Sequence, residues 1–395
     1  MKKNLSLLLV LLFLIISCSK DETTPDDPAE DNVVLVSQEL IDTISNETIQ
    51  GIASAFFSST PIYSMLTYAD VQVYKTTYRT LDVSGNPIIA SGLVLAPLTN
   101  EQVPIISFQH GTQHNPNDAM SNFDDYDTNI LGLVFASSGY AISFPDYLGY
   151  GETKNIVHPY EHAESLGQAS FDMLLGTKEL LEDISVDTSD ALFLTGYSEG
   201  GYATMALHKH IEENSSLEVT MSAPGAGAYD KTNFALEILN KNEDLNFLPH
   251  YMWVLYTYNE IYNLNRPWSS YVKEPYATTL ANVAHPGDLH NATITKNPDE
   301  LFQESFVEGI YNGTDLEFLN ALAANDIYNW TPNAPITLYH GEADDYVFPL
   351  NSESALNQIA ANGGTISLVS YPNLNHSSGV IPYVLDVFML FEALK

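Results

Sequence analysis

The sequence predicts an α/β fold: a mostly parallel sheet covered by helices on both faces and interrupted once by a helical insertion. Three observations point there. Short, uniformly apolar runs recur from about residue 71 to the C-terminus, as expected for strands buried on both faces. They alternate with segments of helical periodicity, which implies crossover connections and parallel pairing. Residues 231–329 break the alternation with helical patterns and no clear strand.

The elements follow in order. Val71–Leu81 and Ile88–Leu95 flank the turn-rich Ser84-Gly85-Asn86-Pro87 and read as an antiparallel pair. Pro104–Phe108 is a short buried strand, Asn129–Ser138 a helix and Tyr140–Phe144 a second strand. Glu164–Asp183 places Leu166, Met173, Leu174, Thr177 and Leu181 at helical spacing. Ala191–Thr195 reads as a strand, Glu199–Ile211 as a helix and Leu217–Met221 as a strand. After the insertion, Ile336–Tyr339 and Ile366–Tyr371 are strands, and Glu353–Ala361 and Pro382–Leu394 are helices. Pro382 suits a first helical turn, where its missing N–H costs nothing. The expected organisation is a core of residues 36–230 and 331–395 with a helical cap, or lid, at 231–330. The cap holds Trp253, Trp268 and Trp330, with Tyr251, Tyr256, Tyr258, Tyr262, Tyr271 and Tyr276. These aromatics build the cap's own core, and a few are candidates to line an apolar acyl pocket.

The N-terminus reads as a targeting segment. Lys2 and Lys3 precede the apolar run Leu7–Ile16, which is too short to span a bilayer and fits a signal peptide over residues 1–17. Ser17 before Cys18 resembles a lipobox, so Cys18 is the expected lipidation site of an exported bacterial lipoprotein on the outer membrane or cell surface. Residues 18–35 open with Asp-, Glu-, Thr- and Pro-rich sequence and read as a flexible acidic tether. Membrane contact is expected through that anchor only.

Composition excludes several classes. The formal charge is −36, from 14 Lys+Arg against 50 Asp+Glu, which lacks the basic footprint that nucleic acid requires. One cysteine allows no intrachain disulfide. Asp124, Asp125 and Asp127 lack the spacing and glycine of a calcium loop, and the histidines show no zinc spacing, so no metal is expected.

Chemistry concentrates at four places. Gly196-Tyr197-Ser198-Glu199-Gly200 lies between a strand and a helix, the context of a nucleophile elbow. A serine hydroxyl needs a base oriented by an acid, arriving in the order Ser, Asp or Glu, His. His376 is the only histidine after the His340–Val347 loop, and it precedes the final helix. Asp344 in that loop is the candidate acid, with Asp345 and Glu342 beside it. The expected oxyanion donors are the backbone N–H of Glu199 and, from the Gln109-His110-Gly111-Thr112 loop, that of Thr112. His110 reads as a loop-fixing residue and Pro145–Gly151 as a structural turn. Tyr197 and the cap aromatics are candidates for substrate contact.

Gln109–Thr112, Pro145–Gly151, Gly196–Gly201, Gly225–Asp230, His340–Val347 and Asn375-His376 together resemble the secretory lipase family and its bacterial lipoprotein relatives, within the α/β-hydrolase superfamily. The resemblance covers about residues 70–395. It implies the α/β-hydrolase fold, a helical cap after the sixth strand, a Ser198–Asp344–His376 triad acting on a small-molecule or lipid ester, and no cofactor. Glu199 departs from the neutral residue, such as Gln, common at that position. Two other readings stay open: a serine peptidase resembling prolyl oligopeptidase at Gly196–Tyr202, and a non-catalytic surface lipoprotein that binds a ligand on a hydrolase scaffold.

Overall fold

The computed structural model describes residues 33–123 and 126–395. Residues 1–17, Cys18 and Asp124–Asp125 lie outside them. Strand β1 (Leu35–Ile44) opens the described chain at the last residue of the stretch read as a tether. Helix α1 (Asn46–Phe57) follows, capped by Ser45, whose side chain accepts from the Thr48 N–H. It buries Ile49, Ala53 and Phe57, one residue per turn.

Strands β2 (Val71–Leu81) and β3 (Pro87–Pro97) form the expected hairpin. Asp82 Oδ1 holds its turn by accepting from the Ser84 and Asn86 N–H groups at 2.8 and 2.9 Å. Then come β4 (Val103–Gln109), α2 (Tyr126–Ser137), β5 (Ala141–Pro145), α3 (Ala163–Asp183), β6 (Thr188–Tyr197), α4 (Glu199–Asn214) and β7 (Met221–Gly225). The insertion comprises α5 (Lys231–Leu239), α6 (Leu248–Ile261), α7 (Tyr276–Ala281), α8 (Pro298–Leu301), α9 (Glu304–Tyr311) and α10 (Leu316–Ala324). The chain closes with β8 (Ile336–Gly341), α11 (Leu350–Ala361), β9 (Ile366–Tyr371) and α12 (Val380–Leu394).

The nine strands form one sheet in the order β1-β2-β3-β5-β4-β6-β7-β8-β9. β1, β2 and β3 pair antiparallel, β3 pairs antiparallel with β5, and every later pairing is parallel. The pleat divides each strand between two cores. Leu93 and Leu95 of β3 join a cluster built with α1, α2 and α12. Val94 and Ala96 join another built with α3 and α4 on the opposite face.

One strand is displaced from its expected position. The apolar run Leu217–Met221 suggests a strand, yet pairing begins only at Met221 and runs to Gly225. The observed strand, Met221-Ser222-Ala223-Pro224-Gly225, ends on small residues where α4 crosses it closely: a Cβ on Gly201 would stand 2.1 Å from the Gly225 carbonyl oxygen. Leu217 and Val219 instead pack against the core beside it.

The insertion has its own apolar cluster, centred on Phe234, Leu248, Trp253, Phe306 and Phe318. Arg266 ties it internally with a two-pronged bond to Asp315 at 2.5 and 2.8 Å. It also bonds to the loops beyond β5 and β8: Tyr258 donates to the Glu161 carbonyl at 3.1 Å, and Tyr251 donates to that of Tyr346. Among the described residues, no helix is long and apolar enough to cross a membrane. No group of three or more His, Cys, Asp or Glu among them is arranged to hold a metal ion.

Candidate active site

Ser198 stands between β6 and α4 with φ 62 and ψ −125, a conformation that costs an L-residue energy. Packing on both sides imposes it. A Cβ on Gly200 would stand 2.2 Å from the Gln109 carbonyl oxygen, and one on Gly196 would stand 2.4 Å from that of Gly200. Tyr383 from α12 supports the bend from behind. Its hydroxyl accepts from the Gly196 N–H at 2.9 Å and lies 2.6 Å from Thr195 Oγ1. The Ser198 side chain makes no capping bond to α4 and is free for another partner.

That partner is His376. Ser198 Oγ lies 2.8 Å from His376 Nε2, and His376 Nδ1 lies 2.7 Å from Asp344 Oδ2. An ionised carboxylate only accepts, so Nδ1 carries the hydrogen and Nε2 is left to take the serine proton. Asp344 Oδ1 is occupied by the Tyr346 and Val347 N–H groups, each at 2.9 Å. Burial opposes ionisation of Asp344 most strongly, yet hydrogen bonds from His340 and His376 outweigh it and hold the carboxyl down at about 2. Asp345 and Glu342, the neighbouring acids, are exposed.

The His376 ring is held on two sides. Tyr346 packs against it at 4.8 Å between centroids and Tyr197 at 5.2 Å. The Tyr197 hydroxyl also donates to the His376 carbonyl at 2.8 Å, so Tyr197 anchors the loop that carries His376. Thr112 sits beside the elbow in the loop after β4, and its hydroxyl shares a 3.0 Å hydrogen bond with Tyr160. Neither the Glu199 nor the Thr112 backbone N–H donates to another described residue. The His110 ring, fully buried, bonds the Gly111 and Asp146 carbonyls at 2.7 and 3.2 Å, and burial lowers its basicity.

By sequence the chain matches no family model and no curated protein. By structure it is similar to many solved proteins. A candidate hydrolase from Legionella pneumophila is 28% identical with a TM-score of 0.79, over 91% of this chain and 98% of that one. A mutant of LipA from Xanthomonas oryzae, a rice cell wall degrading esterase, is 21% identical with a TM-score of 0.77, over 92% and 99%. Candida antarctica lipase A is 15% identical with a TM-score of 0.62, over 90% and 82%. The chain is an α/β-hydrolase by fold.

On this α/β-hydrolase sheet, the elbow follows β6 and the acid and histidine follow β8 and β9, all at carboxyl ends of parallel strands. Several of the cap aromatics reach the loops around this site. Trp253 stacks on Tyr160 at 4.6 Å, and Tyr251 bonds the backbone of Tyr346. Tyr258 bonds the Glu161 carbonyl, next to Tyr160 in the same loop, while Tyr262 and Tyr271 are hydrogen-bonded elsewhere, to Asn325 and Asn259. Trp330 packs edge-on against His208 at 5.1 Å. Tyr346, two residues from Asp344 in the loop already singled out, joins the site, and so do two residues without a sequence signal: Tyr383 and His158, whose Nε2 lies 2.7 Å from Glu199 Oε1. Each of these two is far from its partner in the chain, and no spacing motif marks it.

Proposed function

We propose that the protein is a serine esterase that cleaves carboxylic esters through an acyl-enzyme. The observation that carries this reading is the unbroken hydrogen-bonded chain from Ser198 through His376 to Asp344 at a strained elbow. His376 takes the Ser198 proton as Oγ attacks the ester carbonyl. The tetrahedral oxyanion is held by the Glu199 and Thr112 N–H groups at the N-terminus of α4, where the helix dipole favours negative charge. His376 then protonates the departing alkoxide. Water, deprotonated by the same histidine, releases the acid and restores Ser198. Asp344 keeps His376 in the working tautomer and balances its charge while it is protonated.

The names of the LipA esterase and of lipase A support an ester as substrate. An apolar cavity in the cap supports an acyl chain as the part that is bound. It is partly open to solvent, and its walls are almost wholly apolar. Phe234, Ile238, Leu255, Phe306 and Phe318 line it, with the buried Lys231–Glu161 ion pair at one edge.

Ser198→Ala should remove nearly all hydrolysis of p-nitrophenyl esters and all labelling by a fluorophosphonate. Hydrolysis surviving at the wild-type rate would refute the assignment. Faster turnover of a prolyl anilide than of any ester would replace the esterase by a peptidase.

A further inference from the structure

Glu199 faces two ways. Its backbone N–H is one of the two proposed oxyanion donors, while its side chain runs into the core with no exposed surface. There Oε1 meets His158 Nε2 at 2.7 Å, and His158 Nδ1 meets the Leu148 carbonyl oxygen at 2.7 Å. A carbonyl only accepts, so Nδ1 carries a hydrogen. One further proton then lies in the bond between Nε2 and Oε1, and the pair has no net charge whichever atom holds it.

Leu148 belongs to the Pro145–Gly151 turn after β5, and that turn also grips the other donor's loop. The Tyr147 hydroxyl donates to the His110 carbonyl at 3.1 Å, and the Tyr150 hydroxyl donates to that of Gln113. These two carbonyls bracket Thr112. His158 is itself wedged against the turn: a Cβ on Gly149 would stand 2.4 Å from the His158 Cα. A continuous hydrogen-bonded path therefore runs from Glu199 through His158 and the turn to the residues on either side of Thr112.

We propose that this buried path is a strut that sets the separation of the Glu199 and Thr112 N–H groups, with the Glu199 side chain, His158, Tyr147 and Tyr150 as positioning residues for the oxyanion hole. The inference rests on the ester-hydrolase reading. The two donors come from different elements, a helix N-terminus and a loop; Gly200 packed on the Gln109 carbonyl fixes the start of that loop at the elbow, and the path through His158 holds the part of the loop beyond it. Oxyanion stabilisation needs both donors within about 2.7–3.1 Å of the developing charge. The shared proton matters as well, because a bare carboxylate on the donor residue would oppose the oxyanion.

The test compares Glu199→Leu, Glu199→Gln and the double variant Tyr147→Phe/Tyr150→Phe with wild type. The readouts are kcat and KM for p-nitrophenyl acetate, and Ki for an aryl trifluoromethyl ketone that forms a tetrahedral oxyanion adduct on the serine. Glu199→Leu and the tyrosine pair should lose about 10- to 100-fold in kcat with KM held, and Ki should rise in step. Glu199→Gln, whose amide still donates to Nε2, should recover most of that loss. Equal kcat in the Leu and Gln variants, or a loss in KM with Ki unmoved, overturns the strut. Should Glu199→Leu fail to fold by circular dichroism, the tyrosine pair decides alone, and wild-type kcat in it overturns the proposal. A wild-type protein that neither cleaves the ester nor reacts with a fluorophosphonate refutes the esterase reading instead, so the two failures are distinct.

Discussion

Asp344 and Asp345 are chain neighbours with opposite surroundings. The first is buried, with both oxygens occupied by His376 Nδ1 and two backbone N–H groups, and the second is exposed. Asp344→Asn keeps the size but presents an amide that can turn the His376 ring to the wrong tautomer. Its kcat on p-nitrophenyl acetate should fall by about 10⁴-fold, as expected when the acid of a triad is lost, with KM little changed. Asp345→Asn should behave as wild type. Equal losses in the two variants would place the acid elsewhere. The sequence left these two acids open, because adjacency says nothing about which carboxylate turns inward. Ser198 and His376 were legible for the opposite reason, since the elbow context and the chain order single out one residue each. The His158 partner of Glu199 was not, because it is 41 residues away and only the folded turn brings it near.

Helix α3 shows what an element adds to the residues it holds. Its N-cap is His162, whose Nδ1 accepts from the Ser165 N–H at 3.3 Å. The side chain is buried, and burial lowers its pKa from the usual 6.5 to about 4. A protonated Nδ1 cannot accept, so the cap works only in the neutral form. The folded state therefore binds fewer protons than the unfolded state between about 4 and 6.5. Stability from this residue is complete above 6.5, declines as pH falls through that window, and is gone below it. The full effect is on the order of 3 kcal/mol. His162→Asn, an uncharged cap, should flatten the fall in melting temperature between pH 6.5 and 4 expected of wild type. Parallel curves for the two proteins would rule out His162 as the source. Elements with strong period and clear turn signals, such as α3 and the β2–β3 hairpin, were readable from the sequence. β1 was not, because its side chains are mostly exposed and carry no apolar alternation. β7 was misplaced because its register follows the approach of α4, a tertiary constraint that local hydrophobicity does not contain.

At the scale of the molecule, the cap holds a tension between stability and capacity. Protein interiors are normally packed without voids larger than a water, yet the cap keeps an apolar cavity between α5, α6, α9 and α10. An empty apolar space costs stability because its walls lack contacts on one side. On the esterase reading, an acyl chain supplies those contacts when substrate binds, so the deficit of the free protein becomes binding energy. Ala235 on α5 lines this cavity and is small. Ala235→Leu should fill part of it and stabilise the free protein by about 1 kcal/mol, as cavity-filling changes commonly do. The same change should remove room for the chain. Across a p-nitrophenyl series from acetate to decanoate, kcat/KM should fall for the longer esters and hold for acetate, whose acyl group is the shortest. A higher melting temperature with the chain-length profile unmoved would mean that the cavity is a packing defect apart from the substrate path. An unchanged melting temperature with loss on every ester would mean that the larger side chain displaced the cap as a whole. Only stabilisation together with selective loss on long chains identifies the void as the place the acyl group occupies.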